Sequence, residues 1–147
     1  MKRILLIAVL GCCLSVHAQQ KKDYKNTEKE FRAKKEAYMA KQAELTPEEI
    51  EMFFPIYNEL QERKKEVNKK AWKEAKKSKN PQTSEKEYED ILNGFIEADK
   101  INNELDKQYM KKFQKILSNK KIYKVLKAEI KFQRNMLKIV QQDNPQK

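Results

Sequence analysis

Residues 45–57 read LTPEEIEMFFPIY and contain a complete helix start. Thr46 is a typical N-cap residue, Pro47 suits the first helical position, and Glu49 stands three residues after the cap, as a capping box requires. Leu45, just before the cap, can close a hydrophobic staple with the first turn. The stretch therefore predicts a long helix that begins at Pro47.

Apolar residues continue along this helix to about residue 77, and they occupy more positions than one stripe can hold. A buried stripe recurs every three or four residues, which assigns Phe53, Tyr57 and Leu60 to the core. Pro55 lies inside the helix, where proline removes one backbone hydrogen bond. We therefore expect the helix to be kinked there.

Three further helices are predicted by the same kind of signal. Apolar residues at a seven-residue spacing indicate a thin first helix over about 22–43. Residues 78–83 form an obvious loop, and a second capping box, made by Ser84 and Glu87, begins the third helix. The composition agrees, because the chain has only two glycines and four prolines.

The fourth helix is expected over about 119–142, with Ser118 as its N-cap after a tight turn at Leu117. Residues 143–147 are predicted to be a disordered tail. The sequence thus predicts an all-α fold, a single four-helix domain over 19–142. The third and fourth helices add four residues to the predicted core: Phe95, Leu105, Phe113 and Leu126.

Residues 1–18 have the layout of a secretory signal peptide. Lys2 and Arg3 precede an apolar run at 4–14, and a small-residue cleavage site follows at 16–18. The apolar run is too short to span a bilayer. We therefore predict export and cleavage, with no transmembrane segment in the mature chain.

Lipidation of Cys12 is an alternative processing route. Residues 9–12 form a loose lipobox, and a lipid on Cys12 would tether the same domain to a membrane. Either route places the protein outside the cytoplasm, and we interpret its location as periplasmic.

Cleavage after residue 18 would remove every cysteine and histidine of the chain, namely Cys12, Cys13 and His17. The mature protein would then lack a thiol nucleophile, an imidazole base and the usual ligands of zinc or copper. The sequence therefore predicts a protein that is not an enzyme, with no cofactor and no metal site.

The mature chain is predicted to be strongly basic. Without Lys2 and Arg3, the 33 basic residues become 31 against 22 acidic ones, a net charge of +9. Lysines dominate, whereas proteins that read nucleic acid rely on arginine. The charge therefore indicates solubility or attraction to acidic proteins and anionic surfaces, and no nucleic-acid partner.

The predicted fourth helix is unusually apolar around its circumference. Its apolar positions cover roughly 220° of arc, while a core-facing stripe needs little more than about 100°. Glu129 lies within this arc and needs a cationic partner, so we expect a structural ion pair. The candidate partners are Lys34, Arg32, Arg63 and Lys64. Part of the arc is expected to meet a second subunit or a bound partner.

Residues 45–49 and 117–121 begin two helices with related sequences, Leu-Thr-Pro-Glu-Glu and Leu-Ser-Asn-Lys-Lys, at an offset of 72 residues. They resemble the two Leu-Thr-x-x-Gln motifs of the Spy/CpxP-like family of periplasmic proteins. Glu49 and Lys121 stand where that family has glutamine, and Ser118 replaces threonine.

The resemblance implies an elongated cradle of long helices that forms an antiparallel homodimer with a concave, basic and apolar surface. Members of the family act as ATP-independent chaperones or as stress-response modulators of the envelope. Some relatives bind metal, but the mature chain has no histidine or cysteine to match those sites.

We therefore predict ATP-independent holding of unfolded envelope proteins. The apolar residues assigned to client binding are Met52, Ile56, Trp72, Phe132, Met136 and Ile139. Two alternatives stay open: a regulatory partner of an envelope stress sensor, and a structural protein on anionic envelope polymers. All three use a basic helical surface and none needs catalysis.

Overall fold

The computed structural model describes the backbone of residues 15–143 and the side chains of residues 27–138 except Lys77. Within this part of the chain the fold is all-α, with four helices and no strand, which confirms the predicted fold class. Residues 1–14 and 144–147 lie outside the described residues, and with them most of the predicted signal peptide, the lipidation alternative and most of the predicted tail.

The four helices are similar in length. Helix α1 spans Ser15–Ala43, α2 spans Pro47–Ala75, α3 spans Glu85–Phe113 and α4 spans Asn119–Asp143. A short 3-10 helix, Lys76–Lys79, follows α2. Helices α2, α3 and α4 begin directly after their predicted caps, whereas α1 begins earlier than the sequence predicts.

The caps explain why three helices start where they do. The Thr46 hydroxyl accepts a hydrogen bond from the Glu49 backbone N–H, and the Glu49 carboxylate accepts one from the Thr46 backbone N–H at 2.8 Å. Ser84 and Glu87 form the same reciprocal pair. The Ser118 hydroxyl accepts a hydrogen bond from the Lys121 backbone N–H. The reciprocal bond of a capping box is missing, because a lysine side chain has no acceptor.

Helix α1 runs antiparallel to both α2 and α4. Glu36 of α1 accepts a hydrogen bond from Asn58, and further along Glu28 pairs with Lys65, so residue numbers fall on α1 as they rise on α2. Phe132 of α4 packs its ring on α1. Helices α2 and α4 consequently point in the same direction on α1.

Helix α3 returns along α2 as the second arm of a hairpin. Lys64 pairs with Asp106 at 2.7 Å, and the Asn102 amide donates to the Asn68 side chain at 2.8 Å. Beyond residue 66 the two arms continue past the end of the packed core. This distal part of the hairpin carries its own exposed surfaces.

The core lies where the C-terminal ends of α1 and α3 meet the N-terminal ends of α2 and α4. It contains aromatic rings from α2 and α3, with small and aliphatic side chains from α1 and α4 around them. The buried residues are Met39, Ala40, Ala43, Phe53, Phe54, Tyr57, Leu60, Tyr109, Phe113, Leu117, Ile122, Val125 and Ala128.

Two of the predicted core residues lie elsewhere. The Leu126 side chain is 37% exposed, and Val125 is buried in its place. The tight turn before α4 sets the phase of the helix so that Ile122 and Val125 face inward. Phe95 is half-buried outside the core, where its ring packs edge-on against Trp72.

The remaining predicted core residues lie in or against the core. Phe53, Tyr57, Leu60 and Phe113 are buried, and Leu105 is half-buried against them. Helix α2 is one continuous helix through its internal proline, and the kink expected there stays a prediction.

The turn between α1 and α2 forces Glu44 into a left-handed conformation, with φ of 54°. The Leu45 N–H donates to the Ala40 carbonyl and the Glu44 N–H to the Lys41 carbonyl, which is the Schellman pattern. Glycine is the usual residue at this position, because a side chain there costs about 1 kcal/mol.

We expect Glu44→Gly to raise the free energy of unfolding relative to Glu44→Ala by about 1 kcal/mol. Both variants lose the exposed ion pair of Glu44 with Lys124, so their difference isolates the backbone conformation. Urea denaturation followed by circular dichroism measures it. Equal stability of the two variants would show that the turn is not strained.

Candidate binding surfaces

One polar cluster lies inside the contact between α1, α2 and α4. The Tyr57 hydroxyl donates a short hydrogen bond to the Glu129 carboxylate, and the Lys35 ammonium donates to the Tyr57 oxygen at 2.9 Å. Lys35 also lies 3.4 Å from Glu129, and the two charged side chains are only 15% and 14% exposed. Glu129 therefore has the cationic partner that its position requires.

The partner differs from those expected from the sequence. Lys35 pairs with Glu129. The partners expected from the sequence were Lys34, Arg32, Arg63 and Lys64. The last three pair instead with Glu62, Glu59 and Asp106 respectively. The one-residue difference between positions 34 and 35 is a rotation of about 100° around α1.

The cluster is structural in character. Burial, followed by the neighbouring Glu129 carboxylate, raises the pKa of the Tyr57 hydroxyl well above its usual range. The hydroxyl therefore stays protonated and serves as a hydrogen-bond donor. Its ring belongs to the core, where it stacks near Phe53.

The two motif-like helix starts contact each other directly. The Lys121 ammonium lies 2.6 Å and 2.8 Å from the two carboxylate oxygens of Glu49. These are the two positions where the Leu-Thr-x-x-Gln pattern has glutamine, and here they form a complementary ion pair. This pair and the Tyr57–Glu129 bond both join residues 72 apart, so α2 and α4 lie in parallel and in register.

The residues assigned to client binding from the sequence do not form one face. Met52 and Trp72 are exposed but are twenty residues apart on α2, roughly 30 Å along a helix. Ile56 is half-buried against the core. Phe132 packs its ring against Phe31 and Tyr38, with ring centres 5.5 Å and 5.7 Å apart.

The two other assigned residues lie near the end of α4. Met136 is half-buried, one turn beyond Phe132 on the side of α4 that faces α1. The side chain of Ile139 lies outside the described residues. The two predicted residues of α4 whose side chains are described therefore lie on the inner side of the wide apolar arc.

The outer side of α4 forms a continuous surface that we call the basic ridge. It consists of four exposed apolar side chains at spacings of three, four and seven residues, with four cations beside them. Tyr123, Ile130 and Leu137 are between 57% and 64% exposed. The ridge comprises Tyr123, Leu126, Ile130 and Leu137 with Lys127, Lys131, Arg134 and Lys138.

The cations of the basic ridge are not neutralised locally. Among residues 27–138, none of the four has an acidic side chain within ion-pair distance, and Lys127 instead lies 5.9 Å from the Tyr123 ring centre. By contrast, Lys121 and Lys124, on the neighbouring side of α4, are paired with Glu49 and Glu44. The helix therefore presents apolar groups and free positive charge together.

The distal part of the α2–α3 hairpin carries a groove of about 670 Å³, which we call the acidic groove. Its floor is apolar, made by small and aliphatic residues of both arms. Its rim has four carboxylates and one lysine. The floor residues are Val67, Ala71, Ile91, Gly94, Ala98 and Ile101, and the rim residues are Glu74, Glu87, Asp90, Glu97 and Lys70.

Gly94 leaves the middle of the acidic groove open. A Cβ atom built at Gly94 would meet no other atom within 4 Å. The glycine is therefore not needed for packing inside one molecule. It does lower the floor of the groove, so that a large side chain from elsewhere can approach the backbone.

A third exposed stripe runs along the outer face of α3. Tyr88, Leu92 and Ile96 follow one another at four-residue spacing, and all three are exposed. The two lysines of α3 beside this stripe, Lys86 and Lys100, are paired with carboxylates of α3 itself. The stripe therefore serves as an apolar surface without the charge of the basic ridge.

The described residues contain no group of three or more histidine, cysteine, aspartate or glutamate side chains placed to hold a metal ion. In the same part of the chain, no helix is both long and apolar enough to cross a membrane. Comparison of the chain with protein-family models, with characterised proteins and with solved structures finds no match.

We expect Glu49→Gln to lower the free energy of unfolding by about 1 kcal/mol, because glutamine still accepts the Thr46 N–H but leaves Lys121 unpaired. The double variant Glu49→Gln, Lys121→Gln should recover part of the loss. A double-mutant cycle by urea denaturation measures the coupling. The exposed pair of Glu66 and Lys69 is the control, and equal coupling in the two pairs would contradict the structural role.

The same pair should make stability depend on pH in the acid range. The hydrogen bond from Lys121, and then the Thr46 backbone N–H, lower the pKa of the Glu49 carboxyl. A carboxyl group whose pKa is lowered by folding stabilises the folded state fully at pH values above its ordinary pKa, about 4.3 for glutamate. This stabilisation is lost as the pH falls through the folded-state pKa. The stability difference between wild type and Glu49→Gln should therefore shrink below about pH 4. A difference that stays constant would exclude this origin.

Proposed function

We propose that the chain is an ATP-independent holding protein for unfolded envelope proteins and that the basic ridge of α4 is its client-binding surface. The observation that carries the proposal is the combination on this ridge of exposed apolar side chains with cations that have no acidic partner among the described residues. The periplasmic location belongs to the same proposal and rests on the predicted signal peptide.

Unfolded chains expose apolar side chains that a folded surface rarely meets. Large apolar groups spaced along one helix, such as Tyr123, Ile130 and Leu137, supply adaptable contacts over roughly 21 Å. The lysine stems add apolar area of their own while their ammonium groups stay in water. The basic ridge can therefore bind segments of differing sequence without a shaped pocket.

The charge of the basic ridge selects among such segments. Free lysine and arginine groups attract acidic chains and speed their encounter, and salt weakens this attraction. The ion pairs of the bundle interior do not contribute, because their charges are neutralised in place. Affinity for a client should therefore respond to salt through the basic ridge.

No step of this function needs chemistry. Glu49 and Tyr57, two groups with shifted pKa values, lie in bonds that join helices. The elongated cradle, the kinked helices and the antiparallel homodimer implied by the family resemblance belong to this proposal. The length and the kinks of the cradle would set how much surface one client can meet.

The test is light scattering of a chemically denatured acidic client, diluted with and without the purified protein in the absence of ATP. We expect suppression of aggregation at low salt and weaker suppression at high salt. The variant Ile130→Asp, Leu137→Asp should lose it, because charges replace two exposed apolar contacts. Circular dichroism verifies that the variant is folded.

A matched control is available on α3. Leu92 and Ile96 are 62% and 67% exposed, close to the two ridge residues, so Leu92→Asp, Ile96→Asp makes an equal change away from the basic ridge. This control should retain suppression, as should Met52→Asp on α2. Loss in all three variants would contradict the assignment to α4. Absence of suppression by the wild type across several clients would refute the holding function.

A further inference from the structure

We propose that the basic ridge of one molecule docks into the acidic groove of a second copy, so that self-association covers the client-binding surface. The inference rests on the proposed function for what the ridge binds, but the docking itself rests only on the two surfaces. It assigns the acidic groove, which the holding function leaves unused, to regulation of that same ridge.

The two surfaces are opposite in charge. The rim of the acidic groove has four carboxylates against the single cation of Lys70. Asp90 and Glu97 are paired only with exposed lysines one turn away on α3, which a more complete partner can displace. The basic ridge brings four cations and no carboxylate. Asp90 and Glu97 can therefore offer the basic ridge the negative charge that it lacks.

The two surfaces also agree in length and shape. From Glu87 to Ile101 the groove follows α3 for roughly 21 Å, and from Tyr123 to Lys138 the ridge follows α4 for roughly 22 Å. Gly94 is the midpoint of the first span, and its open position gives room for a projecting side chain. Ile130, close to the midpoint of the ridge and 57% exposed, is the side chain that would enter there.

One molecule cannot make this contact with itself. Helix α4 packs on α1 through Phe132 and Glu129, and its basic ridge faces away from the bundle. The acidic groove lies on the distal hairpin of α2 and α3, past the core. Two copies related by a two-fold axis could each insert a ridge into the partner's groove, which closes the assembly at a dimer.

Self-association of this kind would regulate holding by mass action. A ridge that lies in a partner's groove is unavailable to a client, and an acidic unfolded chain would compete for it. At rest the exposed apolar side chains would then be covered, which limits non-specific association. A client that binds the ridge would shift the equilibrium from the dimer to the monomer.

Sedimentation velocity at low and high salt tests the docking without any client. The groove variant Asp90→Lys, Glu97→Lys and the ridge variant Lys131→Glu, Arg134→Glu change only exposed residues. Each should weaken self-association of wild type by about tenfold or more, because it places like charges together. An equimolar mixture of the two variants should associate again, since every contact in the mixed dimer is once more between opposite charges.

Three results would overturn the inference. They are a wild type that stays monomeric at low salt, a dimer indifferent to both variants, and a mixture of the two variants that fails to associate. Leu92→Asp, Ile96→Asp on the third stripe is the control, and a loss of self-association in that variant would place the interface on the outer face of α3 instead.

The regulatory part has its own readout. The groove variant keeps an intact ridge that no partner can cover, so at high protein concentration it should suppress client aggregation better than wild type. Equal suppression would refute the masking while leaving the holding function in place. Conversely, self-association that follows the charge variants, in a protein that suppresses nothing, would refute the holding function and leave the docking standing.

Discussion

The carboxylate of Glu129 lies in the interior of the contact between three helices, where a charge without partners would cost several kcal/mol. It is satisfied by the Tyr57 hydroxyl from α2 and the Lys35 ammonium from α1. Because these groups must meet at hydrogen-bond distance, they fix the rotation and the register of all three helices together. Eight residues earlier on each of α2 and α4, the pair of Glu49 and Lys121 repeats the constraint.

With the register fixed in this way, α4 cannot turn to bury more of its apolar surface. Ile122 and Val125 face the core, and the opposite side of the helix, including Ile130, is left in water. The distal arms of the hairpin extend past the core, and there α2 and α3 pack on each other, as Trp72 does on Phe95. The exposed surfaces are thus consequences of how the interior charges are paired.

Local chemistry made the helix starts predictable from the sequence. The hydroxyls of Thr46, Ser84 and Ser118 each accept a hydrogen bond from the backbone N–H three residues later. These caps could therefore be predicted without knowledge of the fold. The phase of α4 was different, because Val125 and Leu126 are equally apolar and the tight turn decides between them.

The candidate surface was harder to predict for the same reason. The width of the apolar arc on α4 was evident, but its inner and outer sides carry residues of one kind, and the sequence selected Phe132 where the exposed residue is Ile130. The choice of Lys35 over Lys34 depends on how α1 rotates against two helices at once. The acidic groove needs both arms of the hairpin, so no single stretch of sequence reveals it.

Net charge alone gives a poor description of this molecule. The excess of lysine suggests a uniformly basic surface, yet several cations of the packed region are matched by carboxylates, as Lys64 is by Asp106. The outer side of α4 carries four cations without an acidic partner among the described residues, and the rim of the acidic groove carries four carboxylates. A uniform charge would only keep such molecules apart, whereas this separation lets copies attract one another in one orientation and leaves the apolar groups of α4 open to competition. On the proposed function, one surface of this small domain would then serve both self-association and the binding of unfolded chains, and the ionic partner would decide between them.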